Sequence, residues 1–251
     1  MLKLVIAGSG GRMGRRIATL ALQDSVFTVA GALEAPGHPT LSQDYGVVLG
    51  LQPLGVMITS NAEATMGLGD AVIDFSSPEA TAKHVDIARR LRKPIVIGTT
   101  GLSDAQQQAV RAAAAEIPIV FSPNMSLGVN LLFELVRTAA AKLGLAYDAE
   151  VVEAHHKAKQ DAPSGTAKRI AEVLASSRQQ PVPQIPVHAI RAGDIVGDHT
   201  VILAGPYERL ELTHRAHGRE AFATGALRAA QFVAGQRPGL YDMSHVLQRR
   251  P

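Results

Sequence analysis

Leu2–Ala7 is a short apolar run that ends in glycines, and from Arg12 to Gln23 the apolar positions Ile17, Leu20 and Ala21 change to helical spacing. The pattern predicts a strand, a tight turn and a helix. It then recurs. Val26–Leu33 and Ala71–Phe75 read as strands, and Pro78–Arg92 reads as a helix with proline in its first turn. Pro94–Gly98 reads as a buried strand, a helix starts at Ser103 with Gln106 placed to complete a capping box, and Ile117–Phe121 is one more strand. Strands alternating with helices of this length imply parallel βαβ units, hence an α/β fold whose doubly wound parallel sheet has helices on both faces.

Beyond residue 126 the pattern changes. A helix near Val129–Lys142 precedes a strand at Glu150–His155 and a helix at Thr166–Ala175; Ser177–Pro186 reads as a loop. Ile185–Arg191, His199–Leu203 and Arg209–His214 follow as strands with hairpin-length connections, which predicts a second α+β domain with an open, largely antiparallel sheet. A last helix, Glu220–Ala234, fits either domain. The division expected is 1–126 with 220–251 for the first domain and 127–219 for the second.

Composition narrows the classes. Hydrophobic residues make up 46% of 251 residues, enough for real cores. Aromatics are only 4% and Trp is absent, so the cores must be aliphatic. A net charge of +3 makes no large basic field, and nucleic acid is not an expected partner. The absence of Cys excludes thiol catalysis and thiolate metal sites and argues for a reducing compartment. No apolar run approaches the length of a signal-peptide core or a membrane span, so a cytoplasmic protein with no membrane partner is expected.

Two segments carry chemistry. The first is Gly8-Ser9-Gly10-Gly11-Arg12-Met13-Gly14, between a strand and a helix. A strict G-x-G-x-x-G frame fails because Met13 takes its last place; Gly8, Gly11 and Gly14 carry the spacing instead. Glycines there let backbone approach a pyrophosphate, which the helix N-terminus attracts. Glu34 stands 20 residues beyond Gly14 at the end of the second strand, where an acid can bond ribose hydroxyls. Gly98-Thr99-Thr100-Gly101 also follows a strand, at the sheet edge where such ligands sit. A dinucleotide site outweighs an ordinary glycine turn with a surface carboxylate.

The second segment is Glu153-Ala154-His155-His156-Lys157-Ala158-Lys159-Gln160-Asp161-Ala162-Pro163-Ser164-Gly165-Thr166. A zinc site is disfavoured, since strand neighbours point to opposite faces and no third ligand stands at a usual spacing; no metal is expected. The bland reading is a solvated charge run. Against it, Pro163–Thr166 opens a helix, which puts helix N–H groups beside the cations and makes a pocket for carboxylates. Either a histidine or a lysine of this segment could donate a proton to a ligand held there.

Together with Asn124 and Gly128-Val129-Asn130, these segments resemble the 4-hydroxy-tetrahydrodipicolinate reductase family over nearly the whole chain, and the His-His-x-x-Lys-x-Asp-Ala-Pro-Ser-Gly-Thr string is the most specific part. The resemblance implies a Rossmann-like first domain and hydride transfer from NADH or NADPH to a cyclic, unsaturated dicarboxylate in lysine and diaminopimelate biosynthesis. It implies proton transfer by His155 and Lys159, and substrate binding by His156, Ser164, Gly165, Thr166 and Arg219. Cofactor contacts carry over to Gly8, Ser9, Gly10, Gly11, Arg12, Met13, Glu34, Gly98, Thr99, Thr100, Ser122, Pro123, Asn124 and Met125, and the assembly implied is a homotetramer built through the second-domain sheet. One position departs: many relatives have a basic residue after the ribose-binding acid, and this chain has Ala35. Glu34 repels a 2′-phosphate, so NADH is expected to serve at least as well as NADPH. The rival readings are another two-domain amino-acid dehydrogenase of the aspartate or homoserine type, and a non-catalytic dinucleotide sensor. The sensor has no need for His155, Lys159 and an anion pocket together.

Overall fold

The computed structural model describes residues 1–248, which form two compact units, 1–126 with 222–248 and 127–221. In the first unit the apolar runs become strands covered on both faces. Its first half contains β1 (Leu2–Ala7), α1 (Arg12–Leu22), β2 (Phe27–Leu33), α2 (Tyr45–Val48), β3 (Ile58–Thr59) and α3 (Ala62–Gly67). After these come β4 (Ala71–Asp74), α4 (Pro78–Arg90), β5 (Ile95–Ile97), α5 (Asp104–Ala113) and β6 (Pro118–Phe121). Leu4, Val5, Ile6, Val72, Ile73, Ile95 and Ile97 are fully buried, as both faces of a helix-covered parallel sheet require.

Helices α4 and α5 start where side chains cap them. Ser77 accepts from Ala80 N–H with Pro78 in the first turn, and Ser103 and Gln106 form the reciprocal capping box expected of them. The second unit holds α6 (Leu127–Leu143), β7 (Asp148–His155), α7 (Gly165–Arg178), β8 (Val187–Arg191), β9 (Asp198–Ala204) and β10 (Arg209–Arg215). The chain then passes through α8 (Glu220–Val233) into the first unit, adding β11 (Gly239–Tyr241) and α9 (Met243–Gln248).

The first sheet is wholly parallel, in the order β11-β6-β5-β4-β1-β2-β3. The order reverses at β1, which pairs with β2 on one side and β4 on the other, so the loops after β1 and β4 flank the switch point where ligands of such sheets bind. The second sheet runs β10-β9-β7-β8, antiparallel except for β7 and β8. Of the hairpin-length connections, the one between β9 and β10 makes a hairpin and the one between β8 and β9 does not. Instead α7 returns the chain parallel to β7, and β9 pairs on the other side of β7, so β8 is an outer strand.

Helices α6 and α7 belong to the second core with Leu132, Val136, Val151, Ile170, Leu174, Val201 and Leu203. Elements the periodicity did not reveal are short: β3 has two residues and β11 three, and both exist by pairing with longer neighbours. Among the described residues no helix is long and apolar enough to cross a membrane.

Candidate functional site

In the first unit the loop after β1 is shaped by approaches that only glycine permits. Gly8 has φ +76°, and a Cβ on it would stand 2.3 Å from the Phe75 carbonyl oxygen. A Cβ on Gly14 would stand 2.1 Å from the Gly8 oxygen, so α1 sits directly on the loop. Tyr45, fully buried, donates its hydroxyl to the carbonyls of Ser9 and Gly14 at 3.0 Å each, and burial raises its pKa above the usual phenol range. Ser9 is buried too, and its hydroxyl has no partner among the described residues. Arg12 is exposed, Met13 is partly buried, and Gly11 caps α1 without a side chain.

Glu34 closes this loop from the end of β2. One carboxylate oxygen accepts from Gly10 N–H at 2.7 Å and the other from Ala35 N–H at 3.0 Å. A carboxylate has about four acceptor positions, so capacity remains for ribose hydroxyls. His38, which the sequence reading missed, lies beside it: a Cβ on Gly10 would meet the His38 ring at 2.6 Å and Glu34 at 3.3 Å.

The turns after β4 and β5 are tied together by a buried network. Asp74 bonds His84 Nδ1 at 2.9 Å and accepts from Ser76, and the Thr99 hydroxyl accepts from Ser76 N–H at 3.1 Å and from Thr81 at 2.9 Å. The Thr99 side chain is therefore spent on the fold; Thr99 is buried, Gly98 is partly buried and Thr100 is exposed. After β6, Ser122 donates to the Asn124 carbonyl, Asn124 Oδ1 accepts from Ser126 N–H, Pro123 is exposed, and Met125 is buried against Gly225 of α8.

In the second unit β7 alternates. Ala149 and Val151 face the core, and the same face turns polar at Glu153 and His155, both buried. Register brings Arg191 of β8 opposite His155, and His199 of β9 opposite Glu153. Arg191 grips both oxygens of Glu153, at 2.9 and 2.8 Å, and Glu153 also accepts from Ser164 N–H at 3.1 Å and from His155 Nδ1 at 2.5 Å. Burial alone would raise the Glu153 pKa, but these bonds hold it below the usual value.

Ser164 caps α7 by accepting from Ala167 N–H, and its hydroxyl lies 3.2 Å from His199 Nε2. Burial, with the neighbouring His155 next, lowers the His199 pKa to about 4. Lys159 pairs with Asp161 at 2.8 Å, and the Asp161 carbonyl accepts from Arg191 at 2.6 Å, so His155, Lys159 and Ser164 belong to one connected group. Lys159 is the first cause of the lowered Asp161 pKa. His156 lies just past the strand end, half-buried; Gly165 is exposed with open space where a side chain would stand; and Thr166 is the second residue of α7. Arg219 is exposed in the turn before α8, and no hydrogen bond joins it to this group among the described residues. Arg191 and His199 escaped the sequence reading because they arrive by strand register. No group of three or more His, Asp or Glu among the described residues could hold a metal.

A Rossmann-like unit with a glycine-rich loop and a closing acid, carried on one chain with a buried histidine–carboxylate–arginine group, defines a two-unit nicotinamide-nucleotide reductase. More narrowly, the chain belongs to the dihydrodipicolinate reductase family: the model of that family's N-terminus matches residues 2–125 and that of its C-terminus residues 128–247. The 4-hydroxy-tetrahydrodipicolinate reductase of Anaeromyxobacter sp. (strain Fw109-5) is 47% identical over 100% of this chain and 99% of its own length. The enzyme of that name from Syntrophus aciditrophicus is 42% identical over 98% of each chain. Among solved structures, the dipicolinate-bound dihydrodipicolinate reductase from Paenisporosarcina sp. TG-14 shares the fold, with a TM-score of 0.81 at 24% identity over 96% of this chain and 97% of that one.

Proposed function

We propose that this chain is a 4-hydroxy-tetrahydrodipicolinate reductase, which reduces a cyclic, unsaturated dicarboxylate to tetrahydrodipicolinate in cytoplasmic lysine and diaminopimelate biosynthesis. The observation that carries this reading is the His155–Glu153–Arg191 group beside the start of α7, in a chain matched along its length by reductases of that name. The first unit holds the dinucleotide. Gly8, Ser9, Gly10, Gly11, Arg12 and Met13 receive the pyrophosphate, Glu34 the adenosine ribose, and Gly98, Thr99 and Thr100 with Ser122, Pro123, Asn124 and Met125 line the nicotinamide end. The close packing of the loop supports this, because side chains at Gly8 or Gly14 would strike the Phe75 and Gly8 carbonyls and push the loop off the start of α1. When bound, the reduced nicotinamide supplies the hydride.

The second unit supplies the rest. The N–H groups opening α7 at Gly165 and Thr166, with Ser164, His156 and Arg219, hold the ligand carboxylates, and the residue-free space at Gly165 leaves backbone open to them. Hydride addition to a conjugated imine leaves an electron-rich enamine that must gain a proton, and His155 and Lys159 are the donors. NADH serves at least as well as NADPH, since Glu34 faces the ribose and Ala35 brings no cation. The chain assembles as a homotetramer through the second sheet, where Ile190 and Leu210 are 47% and 40% exposed. The test is saturable loss of reduced-nicotinamide absorbance that depends on enzymatically generated dicarboxylate. Absence of turnover from well-folded protein refutes the reading.

A further inference from the structure

The Glu153 carboxylate is fully buried and its hydrogen-bonding capacity is full. Its Oε1 accepts from Ser164 N–H and Arg191 Nη2, and its Oε2 accepts from Arg191 Nη1 and His155 Nδ1. These four bonds occupy the roughly four acceptor positions of a carboxylate. Arg191 cannot lose its charge and is itself pinned by the Asp161 and Ile190 carbonyls, so the carboxylate it grips stays ionised. An ionised carboxylate only accepts, and the hydrogen between it and the imidazole therefore sits on Nδ1.

His199 does not compete for that carboxylate. Its Nε2 faces the Ser164 hydroxyl, and its ring stands edge-on to His155 with centroids 5.2 Å apart. Among the described residues, no hydrogen bond engages the remaining nitrogen of His155, Nε2. A Cβ on Gly197 would stand 3.1 Å from it, so the glycine keeps that edge of the ring uncovered.

We propose that Glu153, fixed by Arg191, is a positioning residue that locks His155 as the Nδ1–H tautomer and so delivers Nε2, beside Gly197, as the atom that exchanges a proton with the bound ligand. The role for Nε2 rests on the reading of His155 as a proton-transfer group; the tautomer lock does not. Loss of the carboxylate has a specific consequence. In Glu153→Gln the amide NH2 enters a site lined by Arg191, Ser164 and His155 donors, and the imidazole can relieve the conflict by moving its hydrogen to Nε2. To donate, Nε2 must first take up a proton from solvent, giving an imidazolium that the Glu153 carboxylate stabilises; an Nε2–H imidazole has no lone pair there to take it, and glutamine has no charge to stabilise it.

The experiment uses the full chain grown with isotope-labelled histidine and long-range proton–nitrogen correlation spectra at alkaline pH, with His155→Gln to assign the signals. Wild-type His155 should show a protonated Nδ1 and a bare Nε2, and Glu153→Gln should move the hydrogen to Nε2. Turnover in Glu153→Gln should fall about 10–100-fold, the scale for losing a partner that orients a functional histidine, with KM for the dicarboxylate nearly unchanged. Gly197→Ala should keep the wild-type tautomer and still lose turnover, because its methyl covers Nε2. A wild-type Nε2–H tautomer, an unchanged tautomer in Glu153→Gln, or full turnover in Gly197→Ala overturns the proposal. If Glu153→Gln does not fold, the wild-type spectrum and Gly197→Ala decide. Full activity in His155→Ala would instead sink the proton-transfer reading while leaving the tautomer result standing.

Discussion

Gly14→Ala tests the nucleotide cradle at its tightest point. The added methyl would lie 2.1 Å from the Gly8 carbonyl oxygen and 2.7 Å from the Ser9 Cα, both backbone atoms, and ordinary contact needs about 3.5 Å. The start of α1 and the loop must therefore part by about 1 Å, which disturbs the two Tyr45 bonds at Ser9 and Gly14 as well. Overpacking of this kind costs about 1–3 kcal/mol, or about 2–10 °C in Tm for a domain of this size. Loss of one charge-assisted bond to the pyrophosphate, about 1.5–3 kcal/mol, weakens NADH about 10–100-fold. Calorimetric titration of NADH beside a thermal melt measures both. Gly67→Ala is the control: it sits at the end of α3 with nothing within 4 Å of the new methyl, and it should leave NADH binding unchanged. Wild-type NADH affinity in Gly14→Ala would refute the reading of the loop.

Three further outcomes follow from the same geometry. His155→Ala and Lys159→Ala should each lower turnover by about 10²–10⁴ while NADH affinity stays near wild type; His156→Ala should raise the dicarboxylate KM more than it lowers kcat, as steady-state kinetics will show. Ala35→Arg should shift kcat/KM toward NADPH, most at low salt where screening is weak, and a strong wild-type preference for NADPH would contradict the reading of Glu34 and Ala35. Burial lowers the His199 pKa from 6.5 to about 4, so between those values protons bind the unfolded chain and not the folded one, and stability falls with pH. Denaturant melts should show His199→Gln losing less stability than wild type as pH drops through that window.

How much was legible depended on distance along the chain. The glycine loop, Glu34 and the alternation of strands and helices are local patterns, and the sheet built from them is the one the periodicity implied. The capping box at Ser103 was legible for the same reason, since its two partners stand three residues apart. Arg191 and His199 were not, because Arg191 reaches Glu153 from 38 residues away on one neighbouring strand and His199 stands opposite Glu153 on the other. Their roles depend on which strand pairs with β7 and in what register, and no local periodicity encodes that choice. The short connection from β8 to β9 makes no hairpin for that reason: β7 takes both β8 and β9 as neighbours. Thr99 shows a subtler limit. Its position at the sheet edge was legible, but its hydroxyl is committed to the Asp74 network beneath the turn.

The central claim is that hydride passes from a reduced nicotinamide to a cyclic dicarboxylate on this chain. Reduced nicotinamide carrying deuterium on the transferred face, incubated with the enzyme and enzymatically generated substrate, tests it most directly by mass spectrometry of the product. The account predicts tetrahydrodipicolinate with one deuterium per molecule and unlabelled oxidised cofactor. Product without deuterium, or no product from folded protein, would contradict it.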